Sequence, residues 1–310
     1  MITLQDALDM TGLSLAAAGE MVNLGKSAVS RVKSHDYPNW EAIERAIILK
    51  MAEAGLIKRE AGVDLELPST KGTLKVDPYA FISTQNVKAV NALASDLLNP
   101  TTTLNASIGM ITGSAGYGKT TTLRRFASTN DPAVYVLFLE GYTLNVLLKQ
   151  ICRELTGFAQ NSFEKNLLQI REATCIYRKL IIIDEADRMQ LKVIEAMRGI
   201  NEYCGVPLLL VGEESLVAKM ETLPRLKSRI RKPEIVFKSL TPVDVATFYQ
   251  QAIGIDISDS MTICKALLKL CHKDFRILVN DAQHLCQVMN ASNIKNLTEE
   301  VLNAYRASRA

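Results

Sequence analysis

Residues 113–120 read Gly-Ser-Ala-Gly-Tyr-Gly-Lys-Thr. Three glycines at this spacing let a backbone curl until its N–H groups point at one anionic centre. A lysine and a hydroxyl at the end of the curl supply the remaining needs of a polyphosphate: a cation and an oxygen ligand for the accompanying metal. Lys119 is therefore assigned to the β- and γ-phosphates of ATP, and Thr120 to Mg2+. The candidate nucleotide contacts are Gly113, Ser114, Ala115, Gly116, Tyr117, Gly118, Lys119, Thr120 and Thr121. A second stretch, Leu180-Ile-Ile-Ile-Asp-Glu-Ala-Asp187, is an apolar run that ends in acids. Asp184 is the candidate for the Mg2+ shell. Glu185 is the candidate base that orients and deprotonates an attacking water. Asp187 reads as an acid that caps the next helix.

Chemistry of this kind needs a strand to deliver each motif and a helix to leave it. Residues 108–112 form a short apolar run ahead of the glycines, and residues 120–127 continue as a helix behind them. Further runs at 134–139, 180–183 and 208–211 are short and nearly continuous, as expected of parallel strands buried on both faces. A last run at 234–237 precedes Leu240-Thr-Pro-Val-Asp, after which the pattern is helical only. The pattern divides the chain into a helical region at 1–59, a linker at 60–79, an α/β core at 80–238 and a helical region at 239–310.

The bulk composition bounds the partners. The chain has 310 residues, 48% hydrophobic, with a net charge of only +3. A global basic field is not available to hold nucleic acid, so any DNA binding must come from local patches or from many subunits together. The six cysteines form no C-x-x-C pair and the three histidines have no metal-ligand spacing. Buried, reduced thiols in a cytoplasmic protein are expected. The N-terminus does not read as a signal peptide, and no apolar stretch is long enough to cross a bilayer, so no membrane partner is expected.

Residues 18–33 fit a helix-turn-helix. Met21 and Val22 close the first helix. Asn23 falls where the turn needs a left-handed residue, and Ser27 is a cap or early-turn residue of the second helix. Val29 and Val32 face inward. Lys26, Ser30, Arg31 and Lys33 are left outward on a short helix without an acid, as a groove-entering helix requires.

The phosphate loop followed by the acidic strand end resembles the AAA+ ATPases. That resemblance implies an α/β P-loop fold with a parallel sheet core and a C-terminal helical lid, here preceded by an all-α helix-turn-helix domain. It also implies further site residues. The strand exit Leu208-Leu-Leu-Val-Gly-Glu213-Glu214-Ser215 is where AAA+ chains carry an Asn, Thr or Ser that senses the γ-phosphate. Glu213 stands there instead. Either it turns away, or Ser215 substitutes, or hydrolysis is slow. The basic cluster from Arg225 to Lys232 lies where an arginine reaches a neighbouring subunit's ATP, and Arg229 is preferred over Arg225. Lys273-Asp-Phe-Arg276 resembles the second sensor, with Arg276 directed to phosphate.

Within the AAA+ group the chain resembles the phage Mu transposition protein B family, with the Tn7-type transposition regulators next. The resemblance is carried by Asn23-Leu-Gly-Lys-Ser-Ala-Val-Ser30, then Ser83-Thr-Gln-Asn-Val-Lys88, the phosphate loop, Ile183-Asp-Glu-Ala-Asp187, Leu226-Lys-Ser-Arg-Ile230 and Phe275-Arg-Ile-Leu278, in that order. It implies an ATPase that self-assembles into ATP-dependent oligomers or filaments on double-stranded DNA. It implies that these present the DNA to a DDE transposase in a bacterial cytoplasm, in association with the nucleoid. Lys149, Arg153, Arg188 and Lys192 become candidate DNA contacts by position. The competing expectations are a helicase or replication loader, and a DNA-binding regulator switched by ATP with little hydrolysis.

Overall fold

Five short runs of apolar residues pair into one parallel sheet in the computed structural model. The structure describes residues 3–22, 24–36, 40–53, 56, 73–77, 80–99, 101, 107–130, 132–175 and 177–309. The strands are β1 (Ile108–Thr112), β2 (Ala133–Leu137), β3 (Leu180–Asp184), β4 (Leu208–Val211) and β5 (Ile235–Val236), in the order β2-β3-β4-β1-β5. Every residue of β1, β3 and β4 is buried, which explains their unbroken apolar sequences. The second strand begins one residue earlier than its apolar run and stops at Leu137. The register sets Leu137 opposite Asp184 and Ile111 opposite Val211, so the ends of β1, β3 and β4 lie together. In open parallel sheets this strand end is where ligands are bound.

Two compact units divide the chain: residues 1–62, 89–113 and 119–236 in the first, and 63–88, 114–118 and 237–310 in the second. The first unit opens with α1 (Leu4–Thr11), α2 (Leu15–Glu20), α3 (Lys26–Lys33) and α4 (Trp40–Glu53). The Thr3 hydroxyl and Asp6 carboxylate cap α1 reciprocally, a device that contributes about 1 kcal/mol. Leu4, Ala7, Leu8, Ala18, Val29, Val32, Ile47 and Met51 form the small core of these helices. Gly19 is required in α2, because a side chain there would meet the Leu24 carbonyl at 2.2 Å. The helices α5 (Gln85–Leu98), α6 (Lys119–Thr129), α7 (Leu144–Thr156), α8 (Phe163–Cys175), α9 (Leu191–Cys204), α10 (Ser215–Glu221) and α11 (Pro224–Lys227) follow. Helices α6 and α7 pack beside β2, α2 packs on α6, and α3 packs on α7. Arg125 and Ser128 of α6 both donate to the Glu20 carboxylate of α2, the arginine at 2.7 Å.

The second unit carries α12 (Pro242–Ile253), α13 (Met261–Leu270), α14 (Phe275–Ala291) and α15 (Glu299–Arg309). Thr241, Pro242, Asp244 and Gly254 set the two ends of α12 as a capping box, an N-terminal proline and a left-handed C-cap. Val76 and Ile82 are buried in this unit's core with Leu240, Phe248, Tyr249 and Leu278. Leu74 exchanges two hydrogen bonds of 2.7 Å with the Asn290 side chain, and Asp77 N–H donates to Ala252 O at 2.7 Å. Residues 73–77, read from sequence as linker, are thus packed: turn-forming composition hid an apolar anchor at Val76. The rest of that linker, residues 60–72 and 78–79, lies outside the described residues.

Candidate functional site

The phosphate loop connects β1 to α6 as its sequence predicts. Gly116 and Gly118 have φ of 78° and 87°, a region side chains rarely adopt. Gly116 has a second reason to lack a side chain. In the second unit a Cβ there would lie 1.9 Å from Asp274 Oδ2, and Phe275 N–H donates to Gly116 O at 2.9 Å. Ser114 and Ala115 are exposed at the tip, Gly113 is buried, and Tyr117 is half-buried. Thr121 is exposed in the first turn of α6.

Lys119 opens α6 and donates back to the Gly113 carbonyl. Burial pushes its ammonium below the usual lysine range, and the charges of Glu213, Asp184, Glu185 and Asp187, in that order, oppose the shift. Thr120 Oγ1 donates to Asp184 Oδ2 at 2.8 Å. Asp184 is 1% exposed, yet both its oxygens are satisfied. Oδ1 accepts Glu185 N–H at 2.9 Å, and Oδ2 also accepts the Tyr135 hydroxyl at 2.8 Å. The structure therefore brings Lys119, Thr120, Asp184 and Glu185 to one strand end.

Glu185 has a left-handed backbone, φ 58°, where β3 breaks into a short 3-10 turn. Its carboxylate pairs with Arg188 at 2.8 Å, so one candidate DNA contact is engaged by the candidate base. Asp187 is not simply a cap for the next helix. Its carboxylate accepts Glu213 N–H at 3.1 Å, and Lys219 donates to the Asp187 and Met189 carbonyls. Gly212 permits this approach, since a Cβ there would lie 2.5 Å from Asp187 Oδ1. The charge of Glu213 is the largest of those opposing the shift of Lys119. Ser215 sits 3.5 Å from Asp187 Oδ2, facing that acid.

The candidate arginines differ in their surroundings. Arg229 pairs with Glu202 of α9. Arg225 is exposed, with no ion-pair partner among the described residues. Arg276 is exposed in the first turn of α14, whose N-terminus is capped by Asp274. On α3, Val29 and Val32 are fully buried while Lys26, Ser30 and Arg31 are exposed and Lys33 is half-buried. Gly25 is the N-cap of α3, which puts Ser27 inside the first turn. Asn23 lies outside the described residues. Arg31 is partnered by Asp36 at 3.6 Å, an acid just past the helix. On α7, Lys149 reaches Asn161 at 3.4 Å and Arg153 is exposed one turn on. Lys192 is exposed at the start of α9.

Sequence reading missed Tyr135. Its one signal is a hydroxyl inside an otherwise apolar strand. The expected burial of all cysteines also needs correction: Cys152, Cys264, Cys271 and Cys286 are buried, but Cys175 is exposed and Cys204 half-buried. Cys175 is the last residue of α8, where the helix meets solvent. Among the described residues no cluster of His, Cys, Asp or Glu could hold a metal by itself, and no helix is long and apolar enough to cross a membrane.

A parallel sheet in this order, with a phosphate loop after β1 and acids after β3, defines an AAA+ P-loop NTPase fold. A family model described as "AAA domain" matches residues 102–220. Cdc6p from Pyrobaculum aerophilum superposes with a TM-score of 0.56 at 15% identity, covering 72% of this chain and 66% of that one. The Aeropyrum pernix ORC1 protein, solved in complex with DNA, gives 0.52 at 20% identity over 73% and 66%. At those identities the likeness concerns the fold alone. By sequence the chain is similar to the ATP-dependent target DNA activator B of Escherichia phage Mu, 29% identical over 176 residues, which is 53% of each chain. It is also similar to the Mu-like prophage FluMu DNA transposition protein B of Haemophilus influenzae, 27% identical over 43% of this chain and 49% of that one. The chain carries an AAA domain and resembles the Mu transposition protein B relatives over about half of its length, and it spans about half the length of the curated relatives it matches.

Proposed function

We propose that this chain is an ATPase that assembles on duplex DNA in its ATP-bound form and delivers that DNA to a DDE transposase. The observation that carries the enzymatic part is the bond between Thr120 and the buried Asp184 beside Lys119. A hydroxyl and a carboxylate are hard oxygen donors of the kind Mg2+ takes, so the residues present fit the metal. Thr120 and Asp184 would hold it, and bound there it neutralises charge on the phosphates. Lys119 binds the β- and γ-phosphates, and the loop N–H groups orient the chain of phosphates. Glu185 orients a water and accepts its proton as the water oxygen bonds to the γ-phosphorus. The bond to the bridging oxygen breaks and ADP leaves. Arg229 of a neighbouring subunit, with Arg225 as the alternative, and Arg276 of the lid stabilise charge on the γ-phosphate. A trans arginine makes ATP a link between subunits.

The DNA part rests on similarity to proteins named for target DNA activation and transposition, and on the exposed polar face of α3. A near-neutral chain binds DNA tightly when each subunit adds a few phosphate contacts. An acid at Glu213, where a γ-phosphate sensor is expected, favours slow turnover and keeps one other reading open: a DNA-bound regulator in which ATP is a switch. Phosphate release with and without random duplex DNA separates the two. DNA-stimulated turnover in the wild type, absent in Glu185→Gln, supports the ATPase. Tight ATP binding with no turnover under any condition would leave the switch.

A further inference from the structure

Tyr135 has no counterpart in the loop and acid motifs, yet it makes a direct hydrogen bond to the acid at the centre of the site. The sheet register explains how. Leu137 lies opposite Asp184, so Tyr135 sits one pleat back on the same face of the neighbouring strand. That diagonal is within the reach of an aromatic side chain, and the hydroxyl arrives 2.8 Å from Asp184 Oδ2. Thr120 donates to the same oxygen at 2.8 Å, and Glu185 N–H holds the other at 2.9 Å. The Asp184 side chain turns about a terminal bond with a broad torsional well, so two donors on one oxygen and one on the other fix its plane. One turn along α6 from Thr120, Arg124 places its guanidinium 5.3 Å from the centre of the Tyr135 ring. The helix that carries the metal-binding hydroxyl thus also braces the tyrosine.

We propose that Tyr135 is a positioning residue that fixes the Asp184 carboxylate for Mg2+ capture with the nucleotide. The proposal rests on the reading of Asp184 and Thr120 as the metal-holding pair. It assigns to a strand residue a share of the site's metal affinity, separate from phosphate binding by the loop.

The test is binding of a fluorescent ATP analogue at fixed concentration, titrated with Mg2+, in wild type, Tyr135→Phe and Asp184→Asn. Phenylalanine keeps the ring and its packing, and thermal unfolding checks that the fold is retained. The Mg2+ concentration at half-saturation should rise about 10-fold in Tyr135→Phe, while analogue binding in excess chelator stays as in the wild type. An unchanged Mg2+ midpoint in Tyr135→Phe, with Asp184→Asn strongly shifted, would overturn the role of Tyr135 and leave the site reading intact. An unchanged midpoint in Asp184→Asn would overturn both. Equal weakening of Tyr135→Phe with and without Mg2+ would mark a purely structural residue and also defeat the proposal.

Discussion

The phosphate site and the outer face of α3 are built in opposite ways. At the strand ends, Asp184 is 1% exposed and accepts three hydrogen bonds, from Thr120, Tyr135 and Glu185. On α3 the apolar side is fixed by Val29 and Val32, but Lys26, Ser30 and Arg31 extend into solvent, and the Arg31 side chain is 53% exposed. The first region is held by hydrogen bonds within the protein, which suits charge stabilisation during a reaction. The second offers cations on flexible stems, which suits phosphate contacts that carry no sequence information. Catalysis tolerates little displacement of its groups, whereas non-specific DNA binding draws on the number of contacts.

That contrast sets the size of the expected effects. Arg229→Ala should lower ATP turnover of the oligomer about 1000-fold if the arginine acts on a neighbour's γ-phosphate. Mixing it with Glu185→Gln subunits, inactive on their own, should restore part of the activity, because each supplies what the other lacks. No recovery on mixing, together with recovery in Arg225→Ala mixtures, would transfer the role to Arg225. Next, Lys119→Ala should reduce turnover about 100-fold, as for loss of one preorganised donor; phosphate release measures it. On the other side of the comparison, the double change Lys26→Ala and Arg31→Ala should leave turnover without DNA unchanged. It should lower the slope of log affinity against log salt by about 2, from fluorescence anisotropy on random duplexes. An unaltered slope would remove α3 from the DNA interface. Glu20→Gln, which weakens the link from α2 to Arg125 and Ser128 of α6, should cost at most about 1 kcal/mol of stability, as expected for a part-exposed ion pair. Denaturant unfolding reads that change, and a much larger loss would mean that the N-terminal helices are an integral part of the ATPase fold.

The same contrast explains what could be read from sequence. Strands β1, β3 and β4 are buried on both faces, so their apolar runs mark them closely, and the loop glycines announce backbone angles that side chains disfavour. Asp184 and Glu185 follow because they end such a run. Tyr135 was hidden because a tyrosine in a buried strand usually serves packing, and only the register with β3 shows its hydroxyl at Asp184. The packing of Val76 was hidden by the turn-forming residues around it. The partners of Arg188 and Arg31 were hidden too, since the ion pairs with Glu185 and Asp36 depend on local backbone turns. Glu213 was visible as a departure, and its charge is the largest of those opposing the shift of Lys119.

Electron microscopy of the purified protein on random-sequence duplex DNA tests the central claim most directly, with ATP, with ADP, and with ATP for Lys119→Ala. Regular filaments for the wild type with ATP, and none in the other two conditions, are the expected result. Filaments that form regardless of nucleotide, or none under any nucleotide, would contradict an ATP-gated assembly on target DNA.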